Sequence, residues 1–101
     1  MTKGYWMVRV DIDDLEKYQA YAKANAVALK KYGARFLARG GRYEVVEGAT
    51  RPRNTIVEFP SYQHALDCWH SPEYQQAREL RLGACTIDIV IVEGYDGPQP
   101  Q

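Results

Sequence analysis

Cysteine is scarce in this chain, and a charge surplus is missing altogether. Among 101 residues only Cys68 and Cys85 occur, too few for a disulfide framework and without the CxxC spacing of a redox or zinc site. In a reducing compartment both would be free thiols acting as small core residues. Thirteen Lys+Arg balance thirteen Asp+Glu, a formal net charge of zero. That balance argues against a nucleic-acid partner or an anionic membrane surface, since either needs a basic excess. No apolar run approaches the roughly 20 residues of a bilayer crossing. The opening Met1-Thr2-Lys3-Gly4-Tyr5-Trp6 has none of the parts of a secretory signal, so a cytoplasmic location is expected. GxGxxG, P-loop and nucleophile-elbow patterns are also missing. His64 and His70 belong to no HxxxH, HxxE or Cys/His set, so no metal and no other cofactor is expected. A lone histidine serving as an axial haem ligand is the weaker alternative.

What is present is an ordinary globular mix, 46% hydrophobic and 26% charged, enough for one core and one domain. We place that domain at residues 1–95. Residues 96–101, Asp-Gly-Pro-Gln-Pro-Gln, are expected to form a flexible polar tail.

Periodicity supplies the elements. Tyr5 to Ile12 alternates as a strand, with Trp6, Val8, Val10 and Ile12 on one face and Tyr5, Met7, Arg9 and Asp11 on the other. Asp13 or Asp14 then caps a helix, with Glu16 at capping-box spacing from Asp13. Leu15, Tyr18, Ala22, Leu29 and Tyr32 form its apolar stripe, and Gly33 follows as its stop. Ala34 to Arg39 leads through Gly40-Gly41 into Arg42 to Glu47. The glycines predict a bulge or tight bend in one long second strand, with a hairpin turn as the competing reading. A turn over 48–52 leads into a third strand, Asn54 to Phe59. Ser61 caps a short helix carrying Tyr62, Ala65, Leu66 and Trp69, which ends at Ser71-Pro72. There Ser71 caps, and Pro72 opens, a second helix carrying Ala77 and Leu80 and stopped by Gly83. Cys85 to Glu93 is the last strand.

The order β-α-β-β-α-β is that of an α+β, ferredoxin-like fold: a four-stranded antiparallel sheet with its helices on one face. A sheet with one wet face should alternate cleanly. Ile89-Val90-Ile91-Val92 and Ile56-Val57 are instead apolar on both sides, and helices cover only one. A cover for the other face is expected from a second copy of the chain, since two-fold homodimers are the commonest oligomer.

Several stretches resemble a known family. They are Tyr32-Gly33 with Arg35-Phe36-Leu37-Ala38-Arg39-Gly40-Gly41, then Glu58-Phe59-Pro60-Ser61 with Ala65, Trp69, Ser71 and Glu73-Tyr74 behind it, and the ending Val92-Glu93-Gly94-Tyr95. From Lys3 to about Pro98 the chain is similar to the small bacterial proteins designated domain of unknown function 1330. The resemblance implies the dimeric α/β-barrel superfamily, in which two ferredoxin-like sheets face each other. That superfamily includes cofactor-independent monooxygenases, lactone isomerases, haem-degrading enzymes and ligand-sensing domains, so kinship implies no single reaction. The family brings no catalytic residues to transfer.

Individual residues supply the candidates for ligand binding. Arg39, beside paired glycines, can hold a carboxylate bidentately; a structural pairing with Glu58 is the plainer reading. Glu58 shares a face with Ile56 and is either a base or that partner. Asp88, inside the last apolar strand, needs a hydrogen-bonding partner. Trp69, Ser71 and Tyr74 gather at a helix break, where they form an anion or aromatic pocket or else simply cap and pack. Asn25 sits on the apolar stripe as a pocket-facing amide or one bonded to backbone.

Two functional readings follow. In the first, a homodimer binds a small, partly apolar or carboxylated metabolite between sheet and helices, with cofactor-free oxygenase or isomerase turnover as one version. In the second, the homodimer is a non-catalytic binding or assembly module. An RNA-recognition domain shares the element order, but Asn54 to Phe59 lacks its aromatic motif.

Overall fold

The computed structural model describes residues 2–100. Four strands, β1 (Gly4–Ile12), β2 (Arg35–Arg39), β3 (Arg53–Phe59) and β4 (Cys85–Glu93), form one sheet in the order β2-β3-β1-β4. Every neighbouring pair is antiparallel. Helices α1 (Leu15–Ala24) and α2 (Ala26–Lys31) connect β1 to β2, and α3 (Tyr62–His70) and α4 (Pro72–Glu79) connect β3 to β4. This is the ferredoxin-like α+β arrangement.

The core lies between the sheet and this single helical layer. From β1 it takes Trp6, Val8 and Val10, and from β3 Val57 and Phe59; the helices contribute Tyr18, Tyr21, Ala28, Leu29, Ala65, Cys68, Tyr74 and Ala77. Trp6 is fixed in direction as well as depth, because its indole N–H donates to the Ala65 carbonyl at 3.0 Å. A Cβ at Gly4 would run into the Ser61 carbonyl, so glycine there lets the start of α3 settle against β1. Both serine caps form: Ser61 Oγ accepts from His64 N–H and Ser71 Oγ from Tyr74 N–H, each at 3.1 Å.

Burial sets the chemistry of the two thiols apart. Cys68 is fully enclosed, and desolvation pushes its pKa up to about 12. Cys85 is half-buried, with its pKa raised in the same direction by burial. Iodoacetamide at pH 8 should therefore modify Cys85 first and reach Cys68 only on unfolding, since the thiolate is the nucleophile. Mass mapping of the labelled peptides checks the order.

The structure departs from the sequence reading at four places. The first helical stretch is interrupted at Asn25, although only slightly: Asn25 N–H still donates to Tyr21 O and its carbonyl accepts from Leu29 N–H. Its inward face is Tyr18, Tyr21, Asn25, Ala28 and Leu29, while Leu15 is exposed. The cap is Asp14, one of the two residues expected there, whose carboxylate accepts from Lys17 N–H; the Asp13–Glu16 box is not used. Leu80 is 46% exposed, and its neighbour Arg81, at 4%, takes the inward position instead.

The fourth departure is the second strand. It ends at Arg39, and Gly40 turns the chain with φ +60°. Residues 41–52 leave the sheet as an exposed arm bearing Tyr43, Val45 and Val46, the last 85% exposed. The bulge comes before the glycines, where Leu37 is the extra residue between the pairs Phe36↔Val57 and Ala38↔Ile56. The β-rich sequence of the arm pairs with no strand among the described residues.

The sheet face away from the helices carries Tyr5, Met7 and Arg9 from β1, Ile56 and Glu58 from β3, and Asp88, Val90 and Val92 from β4, as the cross-strand register requires. Val90 is 56% and Val92 43% exposed. Asp88 is not solitary there: Arg51 Nε donates to its carboxylate at 2.7 Å, fastening the end of the arm to the sheet.

Candidate functional site

Strand alternation alone would put Arg39 opposite Asn54, on the face that also carries Glu58. The extra residue Leu37 changes the phase, and Arg39 pairs with Thr55 instead. Thr55 faces the helices, so Arg39 does too. Its guanidinium rests over the Phe36 ring at 4.2 Å. Arg39 and Glu58 are therefore on opposite faces, and the expected pairing between them is corrected by a one-residue bulge.

Beside Arg39 a narrow crevice of about 40 Å³ enters the space between the sheet and α1. Trp6, Val8, Leu29 and Val57 line it with apolar surface, and Tyr18, Tyr21, Asn25, Thr55, Arg39 and Arg53 add polar groups. Asn25 is 8% exposed, and its amide makes no side-chain hydrogen bond among the described residues; its Oδ1 is buried without a partner. Arg53 Nε is likewise buried and unpartnered. Neither Arg39 nor Arg53 takes part in a salt bridge among the described residues. Two cations and an unpaired amide thus line one crevice, and buried polar groups normally have partners.

Gly40 shapes this mouth. A Cβ there would collide with the Arg53 guanidinium, and φ +60° is a conformation L side chains avoid. Gly40→Ala should cost about 1–2 kcal/mol of stability from the torsion alone and displace Arg53. Urea denaturation checks the first effect.

Deeper, a buried polar network runs away from the crevice. The Tyr21 and Tyr74 hydroxyls lie 2.7 Å apart, and Arg81 donates to the Tyr74 oxygen at 3.3 Å. The Arg81 guanidinium also sits 5.0 Å from the centre of the Tyr21 ring. No carboxylate neutralises it among the described residues. Burial raises the Tyr74 pKa far above that of an ordinary phenol, and burial together with the Tyr21 phenol raises that of Tyr18. Both rings stay protonated and act as hydroxyl partners.

The sequence candidates divide accordingly. Arg39 and Asn25 meet at the crevice. Glu58 lies on the opposite sheet face, paired in register with Tyr5 and Arg35. Ser71 caps α4 and donates to the Cys68 carbonyl at 2.7 Å. Tyr74 is fully enclosed, with its ring centre 4.9 Å from that of Trp6 and 5.2 Å from that of Trp69. Ser71, Tyr74 and the half-buried Trp69 pack together at the helix break and do not line the crevice. His64 is exposed and bonded through Nδ1 to Ser61 Oγ at 2.6 Å. Among the described residues no cluster of three metal-ligating side chains occurs.

Arg53, Tyr21 and Arg81 were not singled out by the sequence, and Tyr18 only as part of the apolar stripe. Arg53 was accessible to alternation: counted back from Phe59 through Val57 and Thr55, it falls on the inward phase. Arg81 continues the helical spacing Tyr74, Ala77, Arg81, but Leu80 and Leu82 beside it offered a more apolar choice.

The geometry can be set against known proteins. The family model described as Domain of unknown function (DUF1330) matches residues 3–95. The chain belongs to that family. No curated protein matches it. Among solved structures, this DUF1330 chain is similar to a protein of unknown function from Rhodopseudomonas palustris, with a TM-score of 0.76 at 15% identity over 95% of this chain and 85% of that one. It also resembles SnoaB, a cofactor-independent oxygenase from Streptomyces nogalater, with a TM-score of 0.62 at 7% identity over 99% and 97% of the two chains. A putative antibiotic biosynthesis monooxygenase from Nitrosomonas europaea aligns with a TM-score of 0.53 at 16% identity over 96% and 98%. At such identities the likeness establishes the ferredoxin-like fold. In the DUF1330 chain itself, no helix among the described residues is long and apolar enough to cross a membrane.

Proposed function

We propose that this DUF1330 protein binds a small, partly apolar carboxylate in the crevice between the sheet and α1. One observation carries the reading: Arg39 and Arg53, without carboxylate partners among the described residues, flank a crevice in which a buried amide and a buried guanidinium N–H stand unpaired. A guanidinium holds a carboxylate through two parallel N–H donors. The space accepts a head group of a few atoms, and the exposed Arg39 side chain lies at its mouth, where it can close on the carboxylate while the rest of the ligand extends outward. Thermal-shift titration with small aliphatic and aromatic acids tests this, because a ligand that binds the folded state raises the melting point with concentration. Arg39→Ala should weaken such a ligand about tenfold or more while leaving the melting point of the free protein within a few degrees. Absence of any acid-dependent shift would sink the reading.

The fold likeness to SnoaB and to the putative monooxygenase supports turnover as one version, a cofactor-free oxygenation or isomerisation in which the arginines stabilise developing negative charge on a bound enolate or carboxylate. The second reading, a homodimer without turnover, is favoured by a separate observation. Val90 and Val92 of the open face and Tyr43, Val45 and Val46 of the arm are all exposed. Exposed apolar side chains in such number on a small protein fit burial against a second copy of the chain. Both readings share the dimer, and they differ in whether an acid bound at Arg39 is chemically changed.

A further inference from the structure

We propose that the carboxylate taken up beside Arg39 is a 2-hydroxy acid, with its hydroxyl read by Asn25. The inference rests on the carboxylate reading above and adds the class of ligand. A plain carboxylate is an acceptor only. It satisfies Arg53 Nε, which is buried and unpartnered, and can take one N–H of the Asn25 amide. It has no proton to offer Asn25 Oδ1, which is also buried and unpartnered. The amide displays one acceptor and two donor hydrogens, and none of them engages the protein among the described residues. Asn25 and Arg53 line the same crevice of about 40 Å³, a space small enough that the polar end of a ligand can address both. Among organic acids, one with a hydroxyl next to its carboxylate supplies acceptors for the guanidinium and a donor for the amide oxygen without adding a second charge. The neighbouring walls, Leu29 and Val57, are apolar, so a hydrocarbon substituent on the hydroxyl-bearing carbon suits the site better than a second charge.

A site built to hydrogen-bond a hydroxyl discriminates strongly against the analogue without one, because its own polar group is left unpaired. Calorimetric titration of the wild-type protein with matched pairs, lactate against propionate and 2-hydroxyisovalerate against isovalerate, reads this directly and needs no variant. The hydroxy acid of each pair should bind at least roughly tenfold tighter. In Asn25→Leu that advantage should shrink to about twofold or less, with both acids of each pair weakened by loss of the amide N–H; Asn25→Asp, of the same shape, should weaken both acids by charge repulsion. Equal affinity within each pair overturns the hydroxy-acid assignment and leaves carboxylate binding intact. A hydroxyl preference that survives in Asn25→Leu overturns the role of Asn25. Failure of all four acids to bind overturns both this inference and the reading it rests on.

Discussion

Tyr74→Ala is expected to cost about 3–5 kcal/mol, the range for emptying a buried aromatic site, a large share of the 5–15 kcal/mol that holds a typical domain together. Tyr74 is fully enclosed, and its ring meets Trp6, Trp69 and Tyr21 at centroid distances of 4.9, 5.2 and 6.2 Å. The subtler Tyr74→Phe tests the hydroxyl alone. It removes the partner of Tyr21 Oη and the hydrogen-bond acceptor of Arg81, leaving a guanidinium that is 4% exposed with a cation–π contact as its main compensation. We expect a loss of about 1–3 kcal/mol. Arg81→Met should be far milder, since an apolar side chain of similar length replaces a costly buried charge. The double variant should be more stable than the sum of the two single effects predicts, because the phenylalanine no longer strands a charge. Urea midpoints decide the matter, and a Tyr74→Phe loss below half a kcal/mol would refute the network's role.

The same network sets an alkaline limit. Burial raises the pKa of Tyr74 and of Tyr18 in the folded chain, so the folded state binds those protons more tightly than the unfolded state. Their contribution to stability is complete below the ordinary phenol pKa of about 10 and is lost as pH rises from there toward the raised folded values. Unfolding free energy should be level with respect to these groups at neutral pH and decline above about pH 10, with a shallower decline in Tyr74→Phe.

The second large effect concerns the open face. Val90 pairs in register with Met7, and Val92 with Tyr5, on the edge strand of the face that the helices leave uncovered. In the proposed dimer these residues meet a second copy, so Val90→Glu would bury an unpaired carboxylate, which costs several kcal/mol per ion. Association should weaken by about a hundredfold or more, each 1.4 kcal/mol being tenfold. Light scattering at micromolar concentration should show twice the 11.6 kDa chain mass for the wild type and the single-chain mass for the variant, with unchanged far-ultraviolet circular dichroism. A wild-type particle of single-chain mass would remove the dimer.

How much of this was legible beforehand depends on which physical rule was in charge. Local rules read well. The stops and caps at Ser61, Ser71 and Pro72 and the limits of Cys85–Glu93 depend on neighbours within four residues, and the sequence displays them. The antiparallel ferredoxin-like order follows from the succession of elements. Pairing phase did not read, because the Leu37 bulge is a relation between two strands and no residue type announces it; the nearby glycines drew attention to the wrong place. Arg81 was hidden by its own chemistry: an arginine between two leucines looks like surface, and the position is inward only because the phenols of α1 and α4 are there to receive it. The arm beyond Gly40 reads as a strand because its composition is that of one. Among the described residues it pairs with neither sheet edge, an outcome composition cannot convey.

For the crevice the division is similar. Arg39 and Asn25 could be suspected singly, but nothing in a linear reading said that they approach each other. Their meeting depends on β2 being offset against β3 and on α1 ending where it does.

That offset has an evolutionary consequence. Deleting Leu37 would leave the pairs Phe36↔Val57, Ala38↔Ile56 and Arg39↔Thr55 as consecutive rungs and keep the Arg39 cation on the helical side, because the bulge already absorbs the extra residue. Ironing the bulge flat while retaining Leu37 is what would carry that cation through the sheet. Descendants of such a chain can therefore lose this codon without losing the ligand-gripping rim, whereas a change that straightens the strand at constant length would trade the rim for a charged contact surface.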